Sequence, residues 1–121
     1  MTLNEYQKQA MTTCLPESQN DAYMLLNLVG EVGETCSKIA KAIRKDKAFF
    51  SSNILIPDFT DTKEEEDFLN EIYQELGDIL WQLSGVCSVM DIDLETIAQM
   101  NLNKLASRKQ RGVIDGSGDN R

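Results

Sequence analysis

Leu28-Val29-Gly30-Glu31-Val32-Gly33-Glu34 sets two carboxylates three positions apart inside an apolar run, and Glu75-Leu76-Gly77-Asp78 repeats the device further along the chain. Residues i and i+3 lie on one face of an α-helix about a turn apart, so each pair points at one object. Two such pairs on facing helices form a cage of four carboxylates, and like charges that close call for a cation among them.

The runs around both pairs have a helical period. Leu25, Val29, Val32, Cys36, Ile39 and Ile43 alternate spacings of four and three, and Asn20 or Asp21 is placed to cap a helix reaching about Lys45. Leu69, Ile72, Leu76, Ile79, Leu83, Val86 and Met90 form a second seam on a helix from about Lys63 to Met90. Glu31, Glu34, Lys38 and Lys45 lie beside the first seam, rotated by about 100–160°. Glu71, Glu75, Asp78 and Gln82 follow one another on a separate face of the second helix. Gly30 and Gly33 share a third side of their helix with Leu26 and Ser37. Each glycine costs ~1 kcal/mol against alanine, usually for the close approach of another backbone or a ligand.

Around these helices the chain is punctuated plainly. Thr2-x-x-Glu5 matches a capping box opening a short helix over Leu3 to Cys14, and Leu15-Pro16-Glu17-Ser18 ends it. Asp91 or Asp93 caps a helix from about Leu94 to Gln110, closed by Gly112. There Asn101, Lys104 and Arg108 share a face, with Leu94, Ala98, Leu102 and Leu105 on the buried side. Residues 46–63 read as a long loop carrying Phe49, Phe50, Ile54, Leu55, Ile56 and Phe59. It suits a lid, a mobile connection or a surface for a partner subunit. The tail, 112–121, is too polar and glycine-rich for a helix. The expected fold is all-α: one domain over 1–121 with a four-helix-bundle-type core and two long helices. Their excess seam is expected to be buried against further copies, as a homodimer or homotetramer.

Composition narrows the chemistry. With 121 residues, 41% hydrophobic and 26% charged, the chain suits a soluble globular protein. No apolar run approaches the ~18 residues of a membrane span, and Met1-Thr-Leu-Asn-Glu-Tyr6 lacks the basic and then apolar blocks expected of a signal peptide. Three unclustered cysteines (Cys14, Cys36, Cys87) fit reduced thiols in a cytoplasmic protein, with Cys36 and Cys87 as buried hydrophobes. Histidine is absent, which excludes Ser-His and Cys-His nucleophiles and His-ligated zinc. The net charge is −8, and nine acids against one base, Lys63, between Asp58 and Asp78 account for it. Such a surface repels a nucleic-acid polymer.

Carboxylates with hard metals are therefore the chemistry available. Mg²⁺, or Mn²⁺, takes oxygen ligands, keeps waters and is completed by substrate phosphates. Lys38, Lys104 and Arg108 are cations for a phosphate tail, and Trp81, a turn beyond Asp78, is either a platform for a base or a core residue. A single Glu-x-x-Glu is more often a solvated face with an ion pair such as Glu34–Lys38; two pairs with embedded glycines are harder to assign so.

Glu31-x-x-Glu34 with Glu75-x-x-Asp78, the blocks 28–34 and 75–81, Asn101-x-x-Lys104-Leu-x-x-Arg108, and the ending 111–121 resemble the MazG-like nucleotide pyrophosphohydrolases of the all-α NTP pyrophosphatase superfamily. The resemblance implies Mg²⁺-dependent cleavage of a nucleoside triphosphate, (d)NTP, to the monophosphate and pyrophosphate. It also implies an oligomer whose sites neighbouring subunits complete. By the same resemblance Glu31, Glu34, Glu75 and Asp78 become metal ligands or hold the attacking water. Asn101, Lys104 and Arg108 become phosphate or sugar contacts, and Arg121 reaches a neighbouring site. Many members carry a further acid three residues before the second motif; here Ile72 stands there, beside Glu71. Two other functions stay open: a non-enzymatic acidic helical interaction protein, and a phosphoribosyl-nucleotide pyrophosphohydrolase of the same fold.

Overall fold

The computed structural model describes all residues, 1–121. Helix α1 (Leu3–Ala10) opens with the expected capping box, the Thr2 hydroxyl accepting from the Glu5 amide while the Glu5 carboxylate accepts from the Thr2 amide. It stops at Ala10, short of Cys14. Two 3-10 turns, Met11–Thr13 and Pro16–Ser18, carry the chain to Asn20. Asn20 caps α2 (Asp21–Arg44), accepting from the Tyr23 amide. Asp61 caps α3 (Thr62–Val89), accepting from the amides of Lys63 and Glu64. Helix α4 (Leu94–Gln110) follows and ends before Gly112, whose φ of 68° suits glycine.

Residues 46–63, expected to be an irregular loop, instead contain a β-hairpin. Strands β1 (Ala48–Ser51) and β2 (Ile54–Pro57) pair antiparallel, with Phe49 opposite Ile56 and Phe50 opposite Leu55. Ser52 and Asn53 both have positive φ, 50° and 64°, as a two-residue turn of the primed type requires. Ala48 is buried with Ala42, Phe68 and Ile72, and Leu55 and Phe59 pack on that cluster. The hairpin thus closes one end of the α2–α3 pair rather than hanging free as a lid.

The two long helices run antiparallel, since Met24 and Asn27 meet Gln82 whereas Lys38 meets Glu71. Which face α2 turns inward corrects the reading of its seam. Met24 and Ala42 are its buried residues, with Asn27, Glu31, Thr35 and Lys38 part-buried between them on one stripe. Leu25, Val29, Val32 and Cys36 face outward, Val29 being 72% exposed, and so Cys36 is not the buried hydrophobe expected. Along α3 the inward stripe is Phe68, Ile72, Glu75, Ile79, Gln82 and Val86, so Glu75 and Gln82 lie within the seam rather than on a separate face. Leu76 and Met90, expected in it, are exposed.

Gln7 joins the outer helices to this pair. Buried, it donates to the Ser88 hydroxyl and the Ile92 carbonyl and accepts from the Leu94 amide, at 2.7 Å. With Asn4 accepting from the Glu95 amide, α1 supplies the cap of α4 that Asp93 does not. Leu94 is buried, while Leu102 and Leu105 remain exposed against expectation.

Candidate functional site: a carboxylate cluster between two helices

Because α2 turns its polar stripe inward, Glu31 and Glu34 meet Glu75 from α3. One carboxylate oxygen from each of the three lies within 4.8 Å of the others. Glu75 is 8% exposed. Lys38 holds its Oε1 at 3.3 Å, but its Oε2 is buried with no hydrogen-bond partner. A buried carboxylate oxygen left without a partner beside two further carboxylates is costly, and oxygen donors in this number suit a hard divalent cation. The residues present therefore fit a metal ion.

Asp78 lies outside this trio, exposed, yet near enough for its charge to act on it. The Glu31 carboxyl is held above its ordinary pKa first by burial and also by the charges of Glu34, Asp78 and Glu75; the hydrogen bond from Asn27 acts the other way. Tyr6 of α1 stands close to Asp78 as well, its phenol pushed up by burial and by that carboxylate.

Side chains not among the expected site residues fix the cluster. Asn27 donates to Glu31 Oε1 at 2.8 Å and to Gln82 Oε1 at 3.0 Å, and Gln82, fully buried, donates to the Met24 carbonyl at 3.0 Å. The chain from α3 to the Glu31 carboxylate leaves no amide orientation free. Asn27 stands one turn before Glu31 and Gln82 one turn past Asp78, a spacing that could have drawn attention to both; nothing local marks Tyr6. Glu71, beside the position where an acid was missing, takes Lys38 at 3.2 Å, and Ile72 belongs to the apolar core.

The remaining expected residues lie elsewhere. Trp81 donates its indole N–H to the Ala10 carbonyl and the Thr13 hydroxyl, at 3.1 and 2.9 Å, which ties α3 to the end of α1. Arg108, 6% exposed, reaches the Asp119 carboxylate at 3.0 Å and the carbonyls of Gly118 and Asp119, and Lys104 reaches Asp119 at 3.4 Å. Arg121 donates to the carbonyls of Val113 and Gly118, and Arg111 donates to the Arg121 main-chain oxygen. Asn101 is exposed. Lys104, Arg108, Arg111, Asp119 and Arg121 form a second cluster on α4 and the tail, and no hydrogen bond or ion pair links it to the carboxylates within the chain. The glycines of the motifs have room: a Cβ on Gly33 or Gly77 meets nothing within 4 Å, and on Gly30 only Asn27 at 3.5 Å. Close approach occurs instead at Gly85, where the Met24 thioether fills the space a side chain would need.

Comparison with known proteins gives the family. The profile of the MazG nucleotide pyrophosphohydrolase domain matches residues 19–113, which include both carboxylate pairs and the α4 cations. The chain belongs to the MazG family. It is also 38% identical, over 128 aligned positions spanning all of both chains, to the Gene 37 protein of Mycobacterium phage L5, whose name states no activity. No solved structure gives a significant match. The four helices with one small hairpin agree with the all-α MazG fold. No helix is long and apolar enough to cross a membrane.

Proposed function

We propose that this MazG protein is a nucleoside triphosphate pyrophosphohydrolase, cleaving (d)NTP to (d)NMP and pyrophosphate with Mg²⁺, or Mn²⁺, held by Glu31, Glu34, Glu75 and Asp78. The observation that carries the reading is the bare, buried Glu75 oxygen within a trio of converging carboxylates. A hard divalent ion there supplies charge neutralisation at the phosphoryl oxygens and a lower pKa for the attacking water.

The chain's own residues do the rest. Asn27 holds Glu31 Oε1 and Lys38 holds Glu75 Oε1, so the carboxylates are aimed before substrate arrives. The attacking water gives its proton to a carboxylate oxygen of the cluster not engaged by Asn27, Lys38 or metal. Its oxygen bonds to phosphorus as the anhydride P–O bond breaks, and pyrophosphate leaves. Asn101, Lys104, Arg108 and Arg121 contact the nucleotide, with the phosphates displacing Asp119 from the two α4 cations. The protein acts in the cytoplasm on small nucleotides, for house-cleaning or control of the pool. It acts as a homodimer or homotetramer whose subunits bring the α4 cluster to a neighbour's carboxylates; the exposed seam of α2 supports that assembly.

The test is pyrophosphate release from ordinary and modified nucleoside triphosphates with Mg²⁺. Loss of turnover by at least about a hundredfold is expected in Glu34→Gln and in Asp78→Asn. Retained turnover in both would falsify the assignment. Absence of any activity, together with no stabilisation by Mg²⁺, would favour the non-enzymatic acidic protein.

A further inference from the structure

Between Lys38 and Lys47 the chain carries five bases and one acid, in a protein of net charge −8. Neither the carboxylate cluster nor the α4 cations account for them. Lys38, Lys41, Lys45 and Lys47 line a single cleft of ≈ 460 Å³ between the end of α2, the hairpin connection and the first turns of α3. Phe59 and Phe68 also line it, their rings 5.3 Å apart.

Complementing the negative end of α2 does not explain this arrangement. The macrodipole is indifferent to the side of the helix on which a cation sits. Yet Lys41 and Lys45 line the cleft and Arg44 does not. Glu31, Glu34, Lys38, Lys41 and Lys45 recur at spacings of three and four, so one face of α2 changes from acidic to basic along its length. Lys38 stands one turn, about 6 Å of rise, beyond Glu34, and Lys41 about 10 Å beyond it.

The pairing within the cleft is incomplete. Lys38 is held by Glu71 and Glu75, and Lys47 by Glu64 at 3.7 Å. Asp67, on the opposite wall, is taken by Lys63. Lys41 and Lys45 have no carboxylate within 4.0 Å. Lys47 also lies over the Phe59 ring, 5.5 Å from its centre, which covers the aromatic face a base would need. The cleft therefore suits phosphate rather than a nucleobase. Because Glu64, Asp67 and Glu71 form its other wall, it suits a phosphate chain whose charge a divalent cation partly neutralises.

We infer that this lysine cleft receives the part of the substrate that becomes pyrophosphate, and holds inorganic pyrophosphate as product, with Lys41 and Lys45 as the principal contacts. The inference rests on the pyrophosphohydrolase reading for its direction along α2. The existence of an anion site in the cleft does not.

The experiment measures calorimetric binding of inorganic pyrophosphate, with and without Mg²⁺, to the full-length protein and to Lys41→Gln/Lys45→Gln. A Lys8→Gln/Lys109→Gln control makes the same charge change outside the cleft. The cleft variant is expected to bind Mg²⁺-pyrophosphate about tenfold or more weakly, with unchanged melting temperature, while the control binds as the wild type does. In turnover, KM for the triphosphate rises and inhibition by pyrophosphate is relieved, with kcat at saturation changing little. Equal binding by the cleft variant and wild type, or equal weakening in the control, overturns the inference. If wild type binds pyrophosphate through these lysines yet cleaves no triphosphate, the anion site stands and the hydrolase reading falls. If triphosphates are cleaved but the lysine changes move neither KM nor pyrophosphate inhibition, the hydrolase reading stands and the inference falls.

Discussion

Glu75 concentrates the physics of the site in one side chain. It is a buried carboxylate with one oxygen on Lys38, the other on nothing, and the carboxylates of Glu31 and Glu34 alongside. Without a cation, the like charges of Glu31 and Glu34 repel it at close range. Glu75→Gln removes that repulsion and most of the desolvation, at the loss of one contact to a lysine that Glu71 still holds. We expect the metal-free variant to melt no lower than wild type. Stabilisation by Mg²⁺, about 2.7 kcal/mol for wild type at a hundredfold excess over Kd, should largely vanish. Differential scanning calorimetry with and without Mg²⁺ checks both halves, and a variant that gains as much as wild type removes Glu75 from the metal site. The pairs Glu31/Glu34 and Glu75/Asp78 were legible in the sequence because i,i+3 spacing on a helix needs no tertiary knowledge. The Asn27–Gln82 bridge was not, because the two amides are brought together only by the packing of α2 on α3.

At the scale of elements, the glycines separate local propensity from packing. Gly85 lies where α3 meets the buried Met24. Gly85→Ala forces a fully enclosed side chain to move and should destabilise by about 1–3 kcal/mol. Gly33→Ala meets open space in the protomer and should stabilise α2 by up to ~1 kcal/mol. Urea unfolding distinguishes the signs, and Gly33→Ala destabilising instead would mean that another surface comes close there. The tail is the second element with a clear expectation. Arg108 and then Lys104 hold the Asp119 carboxyl below its usual pKa, so this clasp contributes stability above the unfolded carboxylate pKa. That contribution is lost as pH falls through the lower, folded value. Tail amides should therefore lose hydrogen-exchange protection only in acid, and Asp119→Asn should weaken them at neutral pH. Protection in Asp119→Asn equal to that of wild type would remove the clasp. The Thr2–Glu5 capping box, the Asn20 cap and the stop at Gly112 were read from the sequence, because they depend on atoms within a turn of one another; the Asp61 cap was not read, and the α4 cap comes from α1. The hairpin was missed: Ser52-Asn53 is a weak turn signal, and Ala48 and Leu55 find their core only against Phe68.

Over the whole molecule, the main fact is an apolar surface with no counterpart in the single chain. Leu25, Leu26, Val29 and Val32 stand exposed along α2, with Tyr73 and Leu76 exposed on α3, whereas only eight hydrophobic residues are buried. Contiguous apolar surface of this kind commonly marks an interface. We expect sedimentation velocity to give a dimer or tetramer, and Leu26→Glu/Val29→Glu to shift it toward the protomer with loss of turnover. A wild-type protomer at micromolar concentration with full activity overturns this.

The sequence by itself determined the four helices, the caps of α1 and α2, the two carboxylate pairs and the family that they mark, because spacing along a helix is local. Only the tertiary structure decided which face of α2 turns inward, where Lys104 and Arg108 go, and that residues 48–57 pair as strands. An amphipathic helix shows that an apolar seam requires a partner surface without showing which surface meets it. Here the carboxylate stripe meets α3, and of the seam Ile39 packs on the core while Leu25, Val29, Val32 and Cys36 stand exposed. Glu75 owes its bare, buried oxygen to that choice.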